Sequence, residues 1–397
     1  MHIDLNAFFV RAEEIKNPSL VGKPVGIGHL GRGGIISTCS YAARNFGVRS
    51  GMPTFQAVKL CPHIILLDGD YHYYSALSVS FYQFLKRRFK LVERTSVDEC
   101  YVDLTDYLKG MRTNEVQNYL KTMQDDLFKE LGLNSSIGIG PTRFLAKMGS
   151  DLKKPMGISI LRVRDIDEKL GKLKIENMYM VGKKTAPRLK ILGIYTIADF
   201  KRELLEEDPI IKRETGKAYA MYREWLSGRG DDEISVEPWD PKSISHATTL
   251  MNDTDDVDVL KEVLKDLIAE VSKDAIHDKK KGSVIQISLK TTDFKTKNKQ
   301  KKFTRSTNDP EEMFVRAVPI LNDLMDEIVA KDMKVRLIGV ALNKLINPKD
   351  EMIQMTFYDY QIYEEEMRSR LIINEINRKM KKDVLKFASE LKKERKK

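Results

Sequence analysis

Two runs in this chain put carboxylates where apolar strands are expected. At the N-terminus, Met1-His2-Ile3-Asp4-Leu5-Asn6-Ala7-Phe8-Phe9 places one acid on a short apolar strand. Further along, Ser96-Val97-Asp98-Glu99 interrupts a run that otherwise reads as one strand, from Leu91-Val92 to Cys100-Tyr101-Val102-Asp103-Leu104. Acids in such a setting are costly to bury unless a cation compensates them. If the two acid-bearing strands pair side by side, Asp4, Asp98 and Glu99 converge on one point. Hard oxygen ligands of that kind suit Mg²⁺, with substrate phosphates completing the shell. Two ions about 3.5–4 Å apart would clamp the attacking and leaving oxygens of an in-line phosphoryl displacement. A lone Asp at a strand end is also a common cap or turn residue. The residues alone leave both readings open.

The chain has 397 residues, enough for two to four domains of roughly 100–200 residues each. Its hydrophobic content of 42% and charged content of 32% predict a soluble globular protein. A net charge of +10 and an isoelectric point near 9.1 favour a polyanionic partner. Cys39, Cys61 and Cys100 form no CxxC pair and have no His at zinc spacing, so buried thiols in a reducing cytosol are expected. No apolar run approaches the ~18–20 residues that span a bilayer, and the N-terminus carries no basic-then-apolar signal segment. A cytoplasmic location follows as an expectation.

Strand and helix signals alternate through the first 160 residues, which implies an α+β domain with helices on a sheet. Ile35 to Thr38 reads as a strand and Tyr41 to Phe46 as a short helix ended by Gly47. Tyr73 to Phe89 reads as a helix, with Tyr74, Leu77, Phe81, Phe84 and Leu85 recurring on one face. Asn114 to Leu131 is an amphipathic helix, and a further helix begins at Thr142. From 164 to 230 the pattern is short helices with turns. There Gly182-Lys183-Lys184 precedes a helix start that can present amides and lysines to a phosphate, although a Gly turn between helices is commonplace. After Gly228-Arg229-Gly230-Asp231-Asp232 comes a linker with Pro238 and Pro241.

Beyond the linker the order reads β (243–251), α (256–276), β (283–292), β (302–307), α (310–330), β (334–342), a split β-α-β-β-α-β unit of the ferredoxin-like kind. Ten basic residues and one acid, Asp293, lie between Lys279 and Arg305. Lys295, Lys297, Lys299, Lys301 and Lys302 crowd the hairpin, which predicts a surface that tracks phosphates. The tail from Asn347 carries the aromatic cluster Gln354-Met355-Thr356-Phe357-Tyr358 and then a helical periodicity from Glu364 to Leu391. Phe357 and Tyr358 either pack on the last domain or anchor a peptide in a partner's pocket.

Taken in order, these motifs resemble the Y-family DNA polymerases of the bacterial lesion-bypass type. Asp4-Leu5-Asn6-Ala7-Phe8-Phe9 and Ser96-Val97-Asp98-Glu99 resemble the two catalytic motifs. Tyr41-Ala42-Ala43-Arg44 with Phe46-Gly47-Val48 resembles the fingers motif, and Lys154-Pro155-Met156-Gly157-Ile158 the family's K-P-x-G segment. The resemblance implies an α+β multidomain right hand. Residues 1–10 and 73–163 would be the palm, 11–72 small fingers, and 164–232 a helix-hairpin-helix thumb. Residues 233–240 would be the linker, 241–345 a ferredoxin-like little finger, and 346–397 the tail.

It further implies Asp4, Asp98, Glu99 and the Leu5 carbonyl as ligands of two Mg²⁺. Tyr41, Arg44, Lys154 and the backbone near Ala7, Phe8 and Phe9 would bind the nucleotide, with Phe9 as a steric gate against a 2′-OH. Gly182, Lys183, Lys184 and the five hairpin lysines would contact primer-template DNA, and Gln354, Phe357 and Tyr358 would bind a sliding clamp. The implied enzyme is a low-fidelity, monomeric DNA polymerase that adds dNTPs without proofreading; a non-catalytic DNA-binding scaffold and a palm-type nucleotidyl cyclase are the competing readings. Asn6 stands where many relatives have a second acid, and Met180 where the thumb hairpin often has Gly. The chain begins almost on its first motif, so either a shortened first strand or a trimmed N-terminus is expected.

Overall fold

Residues 1–230, 233–237 and 240–350, with a few between 368 and 380, are described by a computed structural model. They fall into two compact units, Met1–Trp239 and Asp240–Lys397. The first unit begins β1 (His2–Leu5), α1 (Phe8–Lys16), β2 (Val25–Ile27), β3 (Thr38–Cys39), α2 (Tyr41–Asn45), α3 (Thr54–Leu60), β4 (Ile65–Leu67) and α4 (Tyr71–Lys86). It continues β5 (Val92–Arg94), β6 (Glu99–Val102), α5 (Thr113–Leu131), β7 (Ser135–Ile139), α6 (Arg143–Leu152) and β8 (Ile158–Ile160). Four short helices follow, α7 (Thr185–Ile191), α8 (Ile197–Leu205), α9 (Pro209–Thr215) and α10 (Tyr219–Leu226).

Strand β1 lies at the centre of a five-stranded sheet ordered β5-β6-β1-β7-β8. Its alternation sorts the side chains between two faces. Ile3 and Leu5 enter an apolar core with Phe81, Leu120 and Leu127. His2 and Asp4 take the opposite face, where α6 lies. That helix sits close because two glycines meet there. A Cβ on Gly138 would fall within contact distance of the Ala146 carbonyl and the Ser150 amide, and one on Gly149 would lie 3.1 Å from the Gly138 Cα. The far side of α6 carries Phe144, Leu145 and Met148 into a second core with Leu189, Phe200 and Leu204 of the helical segment. A three-stranded sheet, β3-β2-β4, holds a small core of Ile36, Cys39, Ala43, Val48, Ala57 and Cys61. All three cysteines are free and buried.

Two expectations need correction in this unit. The apolar run around Asp98 is not one strand but the hairpin β5–β6, with residues 95–98 forming its turn. Ser96 explains the break: its hydroxyl donates to Asp98 Oδ1 at 2.6 Å and accepts from the Asp98 amide at 3.2 Å, a local bond that favours a turn over a ladder. The strand expected over 35–38 shortens to Thr38–Cys39, with Ile35 making only an isolated bridge to Pro53.

The second unit runs β9 (Ser243–Thr254), α11 (Val257–His277), β10 (Lys281–Thr291), β11 (Thr296–Thr307), α12 (Pro310–Val329) and β12 (Val335–Ile346). It has the β-α-β-β-α-β order that the sequence predicts. The antiparallel sheet is ordered β11-β10-β12-β9. Both helices cover one face, where Leu260, Leu264, Val271, Leu321 and Leu324 pack on Ile285, Ile287, Leu289, Ile338, Val340 and Leu342. The second hairpin strand is longer than expected. Lys297, Lys299, Lys301 and Lys302 lie within β11 rather than in a turn, because an edge strand tolerates lysine, whose charge blocks pairing with another chain.

Candidate active site

The three acids meet because β1 pairs antiparallel with β6 in a register that sets Asp4 opposite Glu99. The Leu5 amide donates to the Asp98 carbonyl at 2.9 Å, which fastens the hairpin turn to the end of β1. Asp4, Leu5, Ala7, Phe8, Thr38, Tyr41, Arg44, Asp98 and Lys154 line one cavity of about 160 Å³. A larger cavity of about 350 Å³ beside Tyr101, Pro141 and Arg143 has Asp103 as its single lining acid, so size does not mark the chemistry here.

Two lysines lie against the acids. Lys154 Nζ donates to Asp4 Oδ2 at 2.6 Å. Lys147 Nζ, on α6, donates to Glu99 Oε1 at 2.7 Å and to Asp4 Oδ2 at 3.4 Å. Asp151 lies 2.7 Å from Lys154 and 3.5 Å from Lys147. His2 is fully buried; its Nδ1 is 2.8 Å from Ser150 Oγ and its Nε2 is 3.6 Å from Glu99 Oε2. Burial, with Glu99 adding to it, pushes the Asp4 carboxyl up to about 7. Burial also raises Asp98. Burial alone would raise Glu99 as well, but His2, Asp4 and Lys147 beside it outweigh that and hold the carboxylate well below its ordinary range. The acids are thus split, one reluctant to ionise and one firmly ionised.

Lys147, Asp151, Ser150 and His2 escape the sequence reading. A signal exists for three of them. His2 alternates with Asp4 on one face of a strand, and Lys147, Asp151 and Lys154 fall at helical spacings of four and three on an acid–base ladder. Their meeting with β1 depends on the Gly138–Gly149 approach, which no local pattern encodes.

The other expected site residues are placed as follows. Ala7 caps α1 in the left-handed region at φ 45° and ψ 47°, with no side-chain cap. The first amides of α1, from Phe8 onward, are therefore open at a positive helix end. Tyr41 and Arg44 sit on α2, with the Arg44 guanidinium 4.5 Å from the Tyr41 ring centre. Phe9 is half-buried and stacks on Tyr74 at 4.6 Å. Gly182, Lys183 and Lys184 form the exposed loop before α7. Met180, where glycine is usual, does adopt a positive φ of 68°, and its carbonyl accepts from the Tyr222 hydroxyl at 2.9 Å.

The hairpin lysines divide. Lys297 and Lys299 each lie 2.8 Å from Glu327 of α12, on the helix side of the sheet. Lys295 pairs with Asp293 at 3.0 Å. Lys301 and Lys302 are exposed. Gln354, Phe357 and Tyr358 lie outside the described residues.

The impB/mucB/samB family matches residues 3–151, and the C-terminal domain of that family matches residues 241–357. Proteins named DNA polymerase IV are similar over most of their length. That of Oceanobacillus iheyensis is 32% identical over 97% of this chain and 90% of its own. That of Listeria monocytogenes is 33% identical over 87% of this chain and 94% of its own. The chain belongs to the Y family of DNA polymerases. Among solved structures, a Y-family polymerase chimera of Dbh and Dpo4 aligns with a TM-score of 0.75 at 28% identity, covering 87% of this chain and 98% of that one. An insertion ternary complex of Dbh DNA polymerase aligns at 0.56 and 27% identity over the same shares. The α+β fold is that of these Y-family polymerases.

Y-family membership implies a divalent metal cofactor, and the residues present fit one. Asp4, Asp98, Glu99 and the Leu5 carbonyl supply hard oxygens at one strand end. Two ammonium groups already sit on Asp4 and Glu99 oxygens, marking where positive charge is demanded. Among the described residues no three His, Cys, Asp or Glu side chains converge closely enough to enclose an ion as they stand, so the carboxylates must turn to do so. None of the described helices is long and apolar enough to cross a membrane.

Proposed function

We propose that this chain is a template-directed DNA polymerase of the translesion class, joining the primer 3′-OH to the α-phosphate of a bound dNTP and releasing pyrophosphate. The observation that carries the reading is the pairing of β1 with β6, which gathers Asp4, Asp98 and Glu99 beside a cavity lined by Tyr41, Arg44 and Lys154. In this reading Asp4, Asp98, Glu99 and the Leu5 carbonyl hold two Mg²⁺. When bound, such ions polarise the reacting phosphoryl oxygens and favour ionisation of the attacking hydroxyl. Lys154, Arg44, the Tyr41 hydroxyl and the open amides of α1 orient the triphosphate and balance its charge as pyrophosphate departs. Phe9, fixed against Tyr74, closes the space under the sugar.

The domain boundaries go with this assignment: palm at 1–10 and 73–163, fingers at 11–72, thumb at 164–232, little finger at 241–345. Gly182 to Lys184, with Lys301 and Lys302 of β11, would touch DNA phosphates. The tail would tether a monomeric enzyme to a sliding clamp in the cytoplasm through Gln354, Phe357 and Tyr358. Asp98→Ala tests the core of the reading. Primer extension should fall by about a thousandfold or more, while primer-template binding in a gel-shift assay stays close to that of the unaltered chain. Near-normal extension would mean that Asp98 does not serve the chemistry and that the ligand assignment is wrong.

A further inference from the structure

Asp151 is an acid that the metal assignment does not use, yet it contacts both lysines of the site. It lies on α6, four residues after Lys147 and three before Lys154. Each ammonium is therefore held between two kinds of carboxylate. On one side are Asp4 and Glu99, at 2.6 Å from Lys154 and 2.7 Å from Lys147 respectively. On the other is Asp151, at 2.7 Å and 3.5 Å. An ammonium at hydrogen-bond distance occupies the direction from which a divalent ion would approach that oxygen at about 2.0–2.1 Å.

The two lysines differ in freedom. Lys154 is 25% exposed and faces the cavity. The Lys147 side chain is only 10% exposed and is carried by a helix seated against β7 through Gly138 and Gly149. It cannot leave for solvent. The destinations its geometry offers are the Glu99–Asp4 pair and Asp151, which is 43% exposed and solvated on its outer side.

We propose that Lys147 and Asp151 form a positioning pair that sets how readily Asp4 and Glu99 accept a divalent ion. Lys147 competes with the ion for these carboxylates and holds Glu99 by Oε1. Asp151 draws the ammonium groups toward itself and so frees the ligand oxygens. The inference rests on the reading of Asp4, Asp98 and Glu99 as metal ligands.

The two members of the pair push metal affinity in opposite directions, which a purely structural role would not do. The experiment is Mn²⁺ binding to the full chain with primer-template DNA and no nucleotide, read by the electron paramagnetic resonance of free Mn²⁺. Half-saturating Mg²⁺ in primer extension is measured in parallel. Lys147→Met should tighten Mn²⁺ binding about tenfold or more, since a unit positive charge within about 4 Å of the ligands is removed. Asp151→Asn should weaken it about threefold or more. Lys147→Arg, which keeps the charge, should stay near the original value. Unchanged or weaker binding in Lys147→Met overturns the proposal. If that variant does not fold, Asp151→Asn decides, and undiminished affinity there overturns it too. Glu99→Gln separates the two levels of argument: if Mn²⁺ binding survives it intact, the ligand assignment fails rather than the pair.

Discussion

Phe9 is stacked on Tyr74 with ring planes 14° apart, and Tyr74 is fixed in turn by its hydroxyl, which donates to Glu13 Oε1 at 2.7 Å. A ring held this firmly can exclude an atom by contact alone. Phe9→Ala should lower the ratio of kcat/KM for dNTP over NTP by about tenfold or more, at a stability cost of about 1–2 kcal/mol from reduced burial and stacking. A fall in Tm with an unchanged ratio would leave Phe9 as a core residue only. Asp4 gives the residue scale its pH dependence. Its carboxyl, pushed up to about 7 by burial first and by Glu99 second, must lose its proton to take a cation. The raised Asp98 acts in the same direction, whereas Glu99 is ionised throughout. Below about pH 7, protons therefore compete with metal. Half-saturating Mg²⁺ in primer extension should rise by up to about tenfold per pH unit on going from pH 7 to pH 6. It should change little from pH 7.5 to pH 8.5. A flat profile across the acid range would show that Asp4 is not a ligand. His2 and Asp4 could be read together from strand alternation, and the acids themselves were plain in the sequence. Lys147 was not, because it lies 143 residues from Asp4.

At the scale of elements, β11 shows how a strand redistributes a charge run. In the sequence five lysines form one cluster. In the fold, register puts Lys297, Lys299 and Lys301 opposite Leu289, Ile287 and Ile285, on the side where the helices pack. Glu327 takes two of them, and its carboxyl is held at about 2 by hydrogen bonds from Lys297 and Lys299. Their contribution to DNA binding should then be small. Replacing Lys297 and Lys299 by Gln should leave the log–log salt slope of primer-template binding nearly unchanged and cost little stability, as solvent and salt screen exposed pairs. Replacing Lys301 and Lys302 should lower the slope by up to about 0.9 for each phosphate that the variant no longer neutralises. Equal slopes for the two double variants would mean that pairing with Glu327 does not govern which lysines bind DNA here. The hairpin β5–β6 teaches a related lesson. Its turn at 95–98 was hidden in an apolar run because the signal was a side-chain bond from Ser96 rather than Gly or Pro.

For the molecule as a whole, the side chains proposed for the active site end at Lys154 and the second unit's sheet ends at Ile346. Removing residues from 347 onward should therefore spare basal extension on a short primer. If Gln354, Phe357 and Tyr358 bind a sliding clamp, the same truncation should abolish stimulation by a loaded clamp, because tethering raises the local concentration of enzyme at the primer end. Changing Phe357 and Tyr358 to Ala distinguishes the alternatives. Loss of clamp binding at an unchanged Tm supports the peptide, and a marked fall in Tm with clamp binding retained shows that these aromatics complete a core instead.

Periodicity and residue chemistry by themselves determined the order of strands and helices and the β-α-β-β-α-β unit, and they singled out Asp4, Asp98 and Glu99 as candidates. These follow from local rules, since alternation and helical spacing repeat within a few residues and an acid in an apolar run is conspicuous wherever it falls. Tertiary structure decided what surrounds those acids. The Gly138–Gly149 approach brings α6 onto β1, and with it Lys147, Ser150 and Asp151. The packing of α12 on β11 decides that Lys297 and Lys299 meet Glu327, whereas Lys301 and Lys302 stay in water. The first depends on β1 pairing with β7, a distant segment of the chain, and on a close approach that only a missing Cβ permits; the second depends on α12 packing back over the hairpin. A pattern read along one dimension carries neither.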